Sequence, residues 1–171
     1  MSKENITVGV YQSMAQAEKA LKILDENSFP LEKISIVGQN LESEKQVHGF
    51  ITIGDVAKAG AGSGAWMGGL FGVLIGAAFI WVPGFGPLMI AGPLAAALLG
   101  SVEGAVVGAA GGGILGALLG WGVSKEHILK YEEHLKGGKF LIVASGSQND
   151  ADKAKELLSD TSAEAVLRHV A

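Results

Sequence analysis

Between Ala59 and Ser124 this chain carries one charged residue, Glu103, in a run of 66. A soluble domain charges about a quarter of its positions, so such a run calls for surroundings other than bulk water. Glycine recurs inside it every fourth residue, twice over. The first series is Gly60, Gly64, Gly68, Gly72 and Gly76; the second is Gly100, Gly104, Gly108, Gly112, Gly116 and Gly120, extended backwards by Ala96 and Gly92. That spacing follows the i±4 ridge of a helix, and small residues along a ridge let a second backbone approach closely. Each glycine costs about 1 kcal/mol relative to alanine in an exposed helix, so the two series oppose a lone aqueous helix by roughly 10 kcal/mol. A bilayer or close helix packing must offset this. A flexible linker is the bland alternative, but linkers use Ser, Thr and charge rather than Leu, Ile, Phe and Trp.

Length turns the run into an expected helical hairpin. Gly60 to Val82 as a helix spans about 34 Å at 1.5 Å per residue, enough for the ~30 Å hydrocarbon core of a bilayer. Pro83, Gly84, Gly86 and Pro87 around Phe85 force a turn. The return limb, Leu88 to Val123, is longer than one span needs, and Pro93 suits the first turn of a helix. Trp66, Trp81 and Trp121 lie near segment ends, as interfacial tryptophans do. Glu103 is an intramembrane charge on this reading, placed near the distal turn in reach of water, at an oligomer contact, or on an ion path.

The flanks are of ordinary polarity and repeat one another. Ile6, Val8 and Val10 alternate as in a half-buried strand. Ser13 and Gln16 have capping-box spacing, and Met14, Ala17, Leu21 and Leu24 share a helical face. Ile34, Ile36 and Val37 form a second strand after Pro30. The far end repeats this with a strand from Phe140 to Ala144, a helix capped by Asn149 or Asp150, and an alternating strand from Ala163 to Val170. Ala17–Leu24 aligns with Ala151–Leu158 at an offset of 134 residues, and the preceding strands align at the same offset. Two βαβ units predict an α+β, ferredoxin-like (split βαβ) domain, with a four-stranded antiparallel sheet and two helices on one face. Its parts are residues 1–46 and 125–171, joined by a connector at 47–58 and interrupted by the apolar glycine-zipper insert at 59–124. Both halves must lie on one side of any membrane, so an insert that crosses must do so an even number of times. A third helix over Lys125–Lys136 is capped by Ser124, stopped by Gly137-Gly138, and has Ile128, Leu129 and Leu135 as a partial apolar face.

Candidate chemistry is sparse. The net charge of −4 comes with no Lys/Arg stripe, which argues against nucleic acid. The chain has no cysteine, so disulfides, thiolate metal sites and cysteine nucleophiles are excluded. His127 and His134 share a helix face about 10 Å apart along the axis, too far to hold one metal ion by themselves. His48 and His169 have no ligand-type companions in sequence. Glu132-Glu133 suits a solvated helix face, and Ser145-Gly146-Ser147 lacks the pattern of a phosphate loop. No catalytic, cofactor-binding or metal-ligating residue is assigned, and no cofactor is expected. Met1–Asn5 has no apolar core of a signal peptide. Lys58 and Lys125 flank the insert, which places the soluble side in the cytoplasm.

Several stretches resemble a bacterial group: Val47 to Lys58 leading into Gly64-Ala65-Trp66-Met67-Gly68-Gly69-Leu70-Phe71-Gly72, then Val82-Pro83-Gly84-Phe85-Gly86-Pro87 and Ala91-Gly92-Pro93-Leu94-Ala95-Ala96-Ala97-Leu98, and later Tyr131-Glu132-Glu133 with Gly137-Gly138. Together these resemble the general stress proteins with a heat-induced stress-protein domain, some labelled low-temperature-induced. The resemblance implies a stress-linked protein with a ferredoxin-like domain and a glycine-rich insert, and no catalytic residues.

The expected function is therefore a non-enzymatic structural role in stress. Its partners are further copies of the chain, forming a homo-oligomer through glycine-zipper helices, and lipid or membrane, at the cytoplasmic membrane. A closed, soluble cytoplasmic particle, a pore lined by Glu103 and a small-ligand sensor are the alternatives.

Overall fold

The computed structural model describes residues 5–38, 78–82, 86–94 and 113–170. In chain order the elements are β1 (Asn5–Tyr11), α1 (Met14–Glu26), a 3₁₀ turn (Leu31–Lys33), β2 (Ile34–Gly38), β3 (Ala78–Val82), β4 (Gly86–Ala91), α2 (Gly113–Gly120), α3 (Lys125–Lys136), β5 (Phe140–Gly146), α4 (Gln148–Ser159) and β6 (Ala165–His169). The fold is α+β. Its strands form one antiparallel sheet in the order β3-β4-β2-β5-β1-β6.

The two strand–helix–strand units interleave. β5 lies between β1 and β2, pairing Val8 with Val143 and Ile36 with Ile142, and β6 pairs with the outer side of β1, Val8 opposite Leu167. Ala17, Ala20 and Leu24 of α1 are buried, and so are their repeat counterparts Ala151, Ala154 and Leu158 of α4. The two helices cover one face of the sheet with Tyr11, Ile34, Ile36, Phe140, Ile142 and Ala144 beneath them.

The strands β1, β2 and β5 are not half-buried. β1, β2 and β5 are enclosed on both faces, because α2, α3 and the segment around Leu94 cover the second face over Ile6, Val8, Val10, Val37, Leu141 and Val143. Alternation marked the apolar half of β1 and missed that Thr7 and Gly9 are also inside. Thr7 Oγ1 donates to the Ala151 carbonyl at 2.7 Å, so its buried hydroxyl is satisfied. The Tyr11 ring lies over Gly9, with its hydroxyl 2.9 Å from Thr161 Oγ1.

The apolar run departs most from expectation. Helix was expected through Val82; the chain is instead extended from Ala78, and Ala78–Val82 pairs with Gly86–Ala91 as a β-hairpin. Phe79-Ile80-Trp81-Val82 is aromatic and β-branched, which suits a pleated strand better than a helix. The reversal does fall at the proline- and glycine-rich stretch, where Val82 pairs with Gly86 and Trp81 with Pro87. β4 docks on β2 through Ile36–Ala91 and Val37–Ile90, so the hairpin extends the sheet beyond the four strands expected.

Gly92 then crosses β2 with φ +95°, and a Cβ there would strike the Ile34 carbonyl oxygen and the Ser35 Cα. Only glycine permits this approach. It delivers Leu94 to the core, with its N–H donating to Ser35 Oγ at 2.9 Å.

The helix ends follow capping chemistry. Ser13 Oγ accepts from Gln16 N–H, and Gln16 Oε1 in turn accepts from the Gln12 N–H. For α4 the cap is Ser147 rather than Asn149 or Asp150; Asp150 sits at the third position and completes a capping box. Ser124 caps α3, and Gly137 with Gly138 (φ +80°) ends it.

Candidate functional site: the helix pair over the second sheet face

The second face is where the charge-poor run meets the sheet. α2 carries the last two zipper glycines, Gly116 and Gly120, in an eight-residue helix without charge. Leu118 turns inward and is fully buried, whereas Leu119 is 46% exposed and Gly120 is exposed. Positions 116, 119 and 120 share one stripe, and 118 lies across the helix from it. α2 is thus held by one side and offers the opposite side outward. Trp121 and Val123 continue the buried seam into α3.

Ile128, Tyr131 and Leu135 of α3 enter the core at i, i+3 and i+7. Leu129, expected on the apolar face, is instead 64% exposed. The ion pairs on α3 are local, Lys130 with Glu126 at 3.0 Å and Lys136 with Glu132 at 2.7 Å.

Beneath α3 lies a polar cluster. His169, at the end of β6, is 7% exposed and its Nε2 lies 2.7 Å from the Tyr131 hydroxyl. The His127 ring packs edge-on against His169 with centroids 4.9 Å apart, and His127 Nδ1 is 2.7 Å from Ser124 Oγ. Burial, reinforced by His127, pulls the His169 imidazole down to about 4, and burial pushes the Tyr131 phenol well above its usual value. Both groups are therefore neutral near pH 7. Sequence reasoning left His169 without a companion. Its position two residues after Leu167 and four after Ala165 was the available signal, since a strand period of two turns all three to one face. His134, by contrast, lies away from this cluster, with Lys139 Nζ 3.4 Å from its Nδ1.

Among the described residues no group of three or more His, Cys, Asp or Glu gathers to hold a metal ion, and no helix is long and apolar enough to cross a membrane. Gly60, Gly64, Gly68, Gly72, Gly76, Gly100, Gly104, Gly108, Gly112, Pro83, Gly84 and Glu103 lie outside the described residues. Gly86 and Pro87 open β4.

Part of the chain corresponds to a known family. Residues 6–79 match the heat induced stress protein YflT domain. The stress-protein resemblance carried by the sequence is thus shown over β1, α1, β2 and the start of β3. No curated protein and no solved structure matches the chain.

Proposed function

We propose that this stress-protein chain is a non-catalytic structural element that assembles with copies of itself through the glycine stripes of its charge-poor segments. A ferredoxin-like core serves as the mount. The order β2-β5-β1-β6, with α1 and α4 on one face, supports the ferredoxin-like reading. The observation that carries the assembly reading is α2, which is anchored through Leu118 and Trp121 while Gly116, Leu119 and Gly120 form the opposite stripe.

Chain length bears on how lipid enters. The β3–β4 hairpin returns to the sheet in the middle of the charge-poor run. Nineteen residues separate Lys58 from Ala78, and eighteen separate Leu94 from Gly113. One helical pass takes about 20 apolar residues, and a segment that leaves and rejoins one body needs two passes. These lengths favour helix packing between copies, with lipid touched rather than crossed, and so favour the closed assembly over a spanning hairpin or a pore.

The test is mass in solution without detergent, by sedimentation. Wild type is expected as a defined oligomer. Gly116→Leu, Gly108→Leu and Gly72→Leu should each shift mass toward the monomer, and Gly137→Ala should not. Gly38 would be a poor control, because a Cβ there meets the buried Phe140 ring at 2.5 Å. A monomeric wild type, or equal mass across all four variants, would defeat the proposal.

A further inference from the structure

We infer that His169, Tyr131 and His127 form an acid-sensitive latch that holds α3, and with it α2, on the second face of the sheet. The cluster is a long-range polar tether of α3 to the sheet, reaching from the middle of the helix to the last strand. Around it lie Ile6, opposite His169 in the register, and the apolar seam of Ile128, Leu135, Trp121 and Val123.

Among the described residues, the groups that face His169 carry no negative charge near neutrality. α3 presents Tyr131 and His127. β1 presents Ile6, and α2 has no titratable residue. On β6 itself Arg168 points to the other face, where it pairs with Asp152 at 3.0 Å. Glu126 of α3 interacts with Lys130 and His127. Ala171, after Val170, lies outside the described residues.

A proton on His169 therefore arrives in a buried site with no counter-charge among the described residues, 4.9 Å from a second imidazole. Neutral imidazole can accept the tyrosine proton at Nε2; imidazolium can only donate there, so the Tyr131 hydroxyl must turn. The sign follows from the depressed value. The unfolded or released chain binds the proton from about 6.5 downward, the latched one only near 4. The latch is thus intact above about 6.5, weakens as pH falls through the interval, and has lost its full contribution below about 4.

The opposite face has no such window. Asp150, which ties α4 to Lys33 and caps its own helix, is held at about 2 by the Lys33 and Ser147 hydrogen bonds, so it stays charged while His169 titrates. Acid should open one face and leave the other closed. This inference does not depend on the assembly reading: the latch is read on the amides of α3, assembly on mass.

Hydrogen–deuterium exchange of the full chain from pH 7 to 4.5, expressed as protection factors, tests it. Protection over residues 125–136 should fall by at least about tenfold between pH 6.5 and 4.5 as the released chain takes up the proton that the latched one refuses. Residues 148–159 should hold. His169→Gln, which keeps a hydrogen-bonding group and cannot titrate, should retain α3 protection at pH 4.5, and His127→Gln should move release to lower pH. Unchanged α3 protection in wild type overturns the latch, as does release of His169→Gln at the wild-type pH. The wild-type profile decides the matter even where His169→Gln does not fold.

Discussion

The two faces of the sheet are closed by different means. α4 is tied to distant parts of the chain by Thr7 to the Ala151 carbonyl, Lys33 to Asp150, Arg168 to Asp152, and Lys153 to the Asn27 carbonyl. Among the described residues, the ion pairs of α3 run along its own surface, and Tyr131 reaches His169 on the sheet above an apolar seam. Exposed ion pairs each contribute little energy. Their arrangement still separates a face built from the sequence repeat, cross-linked from several directions, from a face closed by α3 and parts of the charge-poor run and held, among the described residues, chiefly by burial, with Tyr131–His169 and Leu94–Ser35 as buried hydrogen bonds. A cover held this way can be removed without dismantling what lies beneath.

The largest expected effect breaks that second face. Tyr131→Ala removes a fully buried ring and should cost about 3–5 kcal/mol in denaturant unfolding, with exchange rising in α3 before α4. Loss of protection in both helices together would erase the contrast. Next, Gly92→Ala places a Cβ against the β2 backbone at a positive φ and should cost about 2–4 kcal/mol, loosening Leu94 and the β4 edge while α1 and α4 stay protected. On the cross-linked face, Ser147→Ala removes the cap of α4 and should cost about 1 kcal/mol by thermal unfolding, leaving α3 exchange unchanged. Smallest at neutral pH is Asp150→Asn, whose signature is its pH dependence. Because the native carboxyl is depressed from 3.8 to about 2, its stabilisation is present above 3.8 and lost as pH falls toward 2. The variant and wild type should converge in stability below about pH 2 and diverge above pH 4.

Much of the repeat-built face was legible in the sequence. The offset of 134 residues paired α1 with α4 and aligned Phe140–Ser145 with β1, and the alternation in Ala163–Val170 located β6. Local patterns sufficed because α1 and α4 each have a polar side and a capped start, and the strands follow from the repeat. The second face was harder to read. Phe79 to Val82 is apolar at every position, so neither a period of two nor one of 3.6 stands out, and the glycine series just before it pulled the expectation toward helix. Its strand character comes from pairing with β4 and, through β4, with β2, a tertiary fact. Tyr131 and Leu129 are both compatible with an apolar stripe on α3, and only the docking angle on the sheet buries the first and exposes the second. His169 belongs to the same class, since a lone histidine in a strand declares nothing until the helix above it is placed.

Native-state hydrogen exchange at pH 7 in rising, sub-denaturing urea tests the contrast between the faces most directly. The account predicts that amides of Ile128–Leu135 exchange through an opening with lower free energy and a smaller urea dependence than those of Ala151–Leu158. A single shared isotherm for both helices, meeting only at global unfolding, would contradict it.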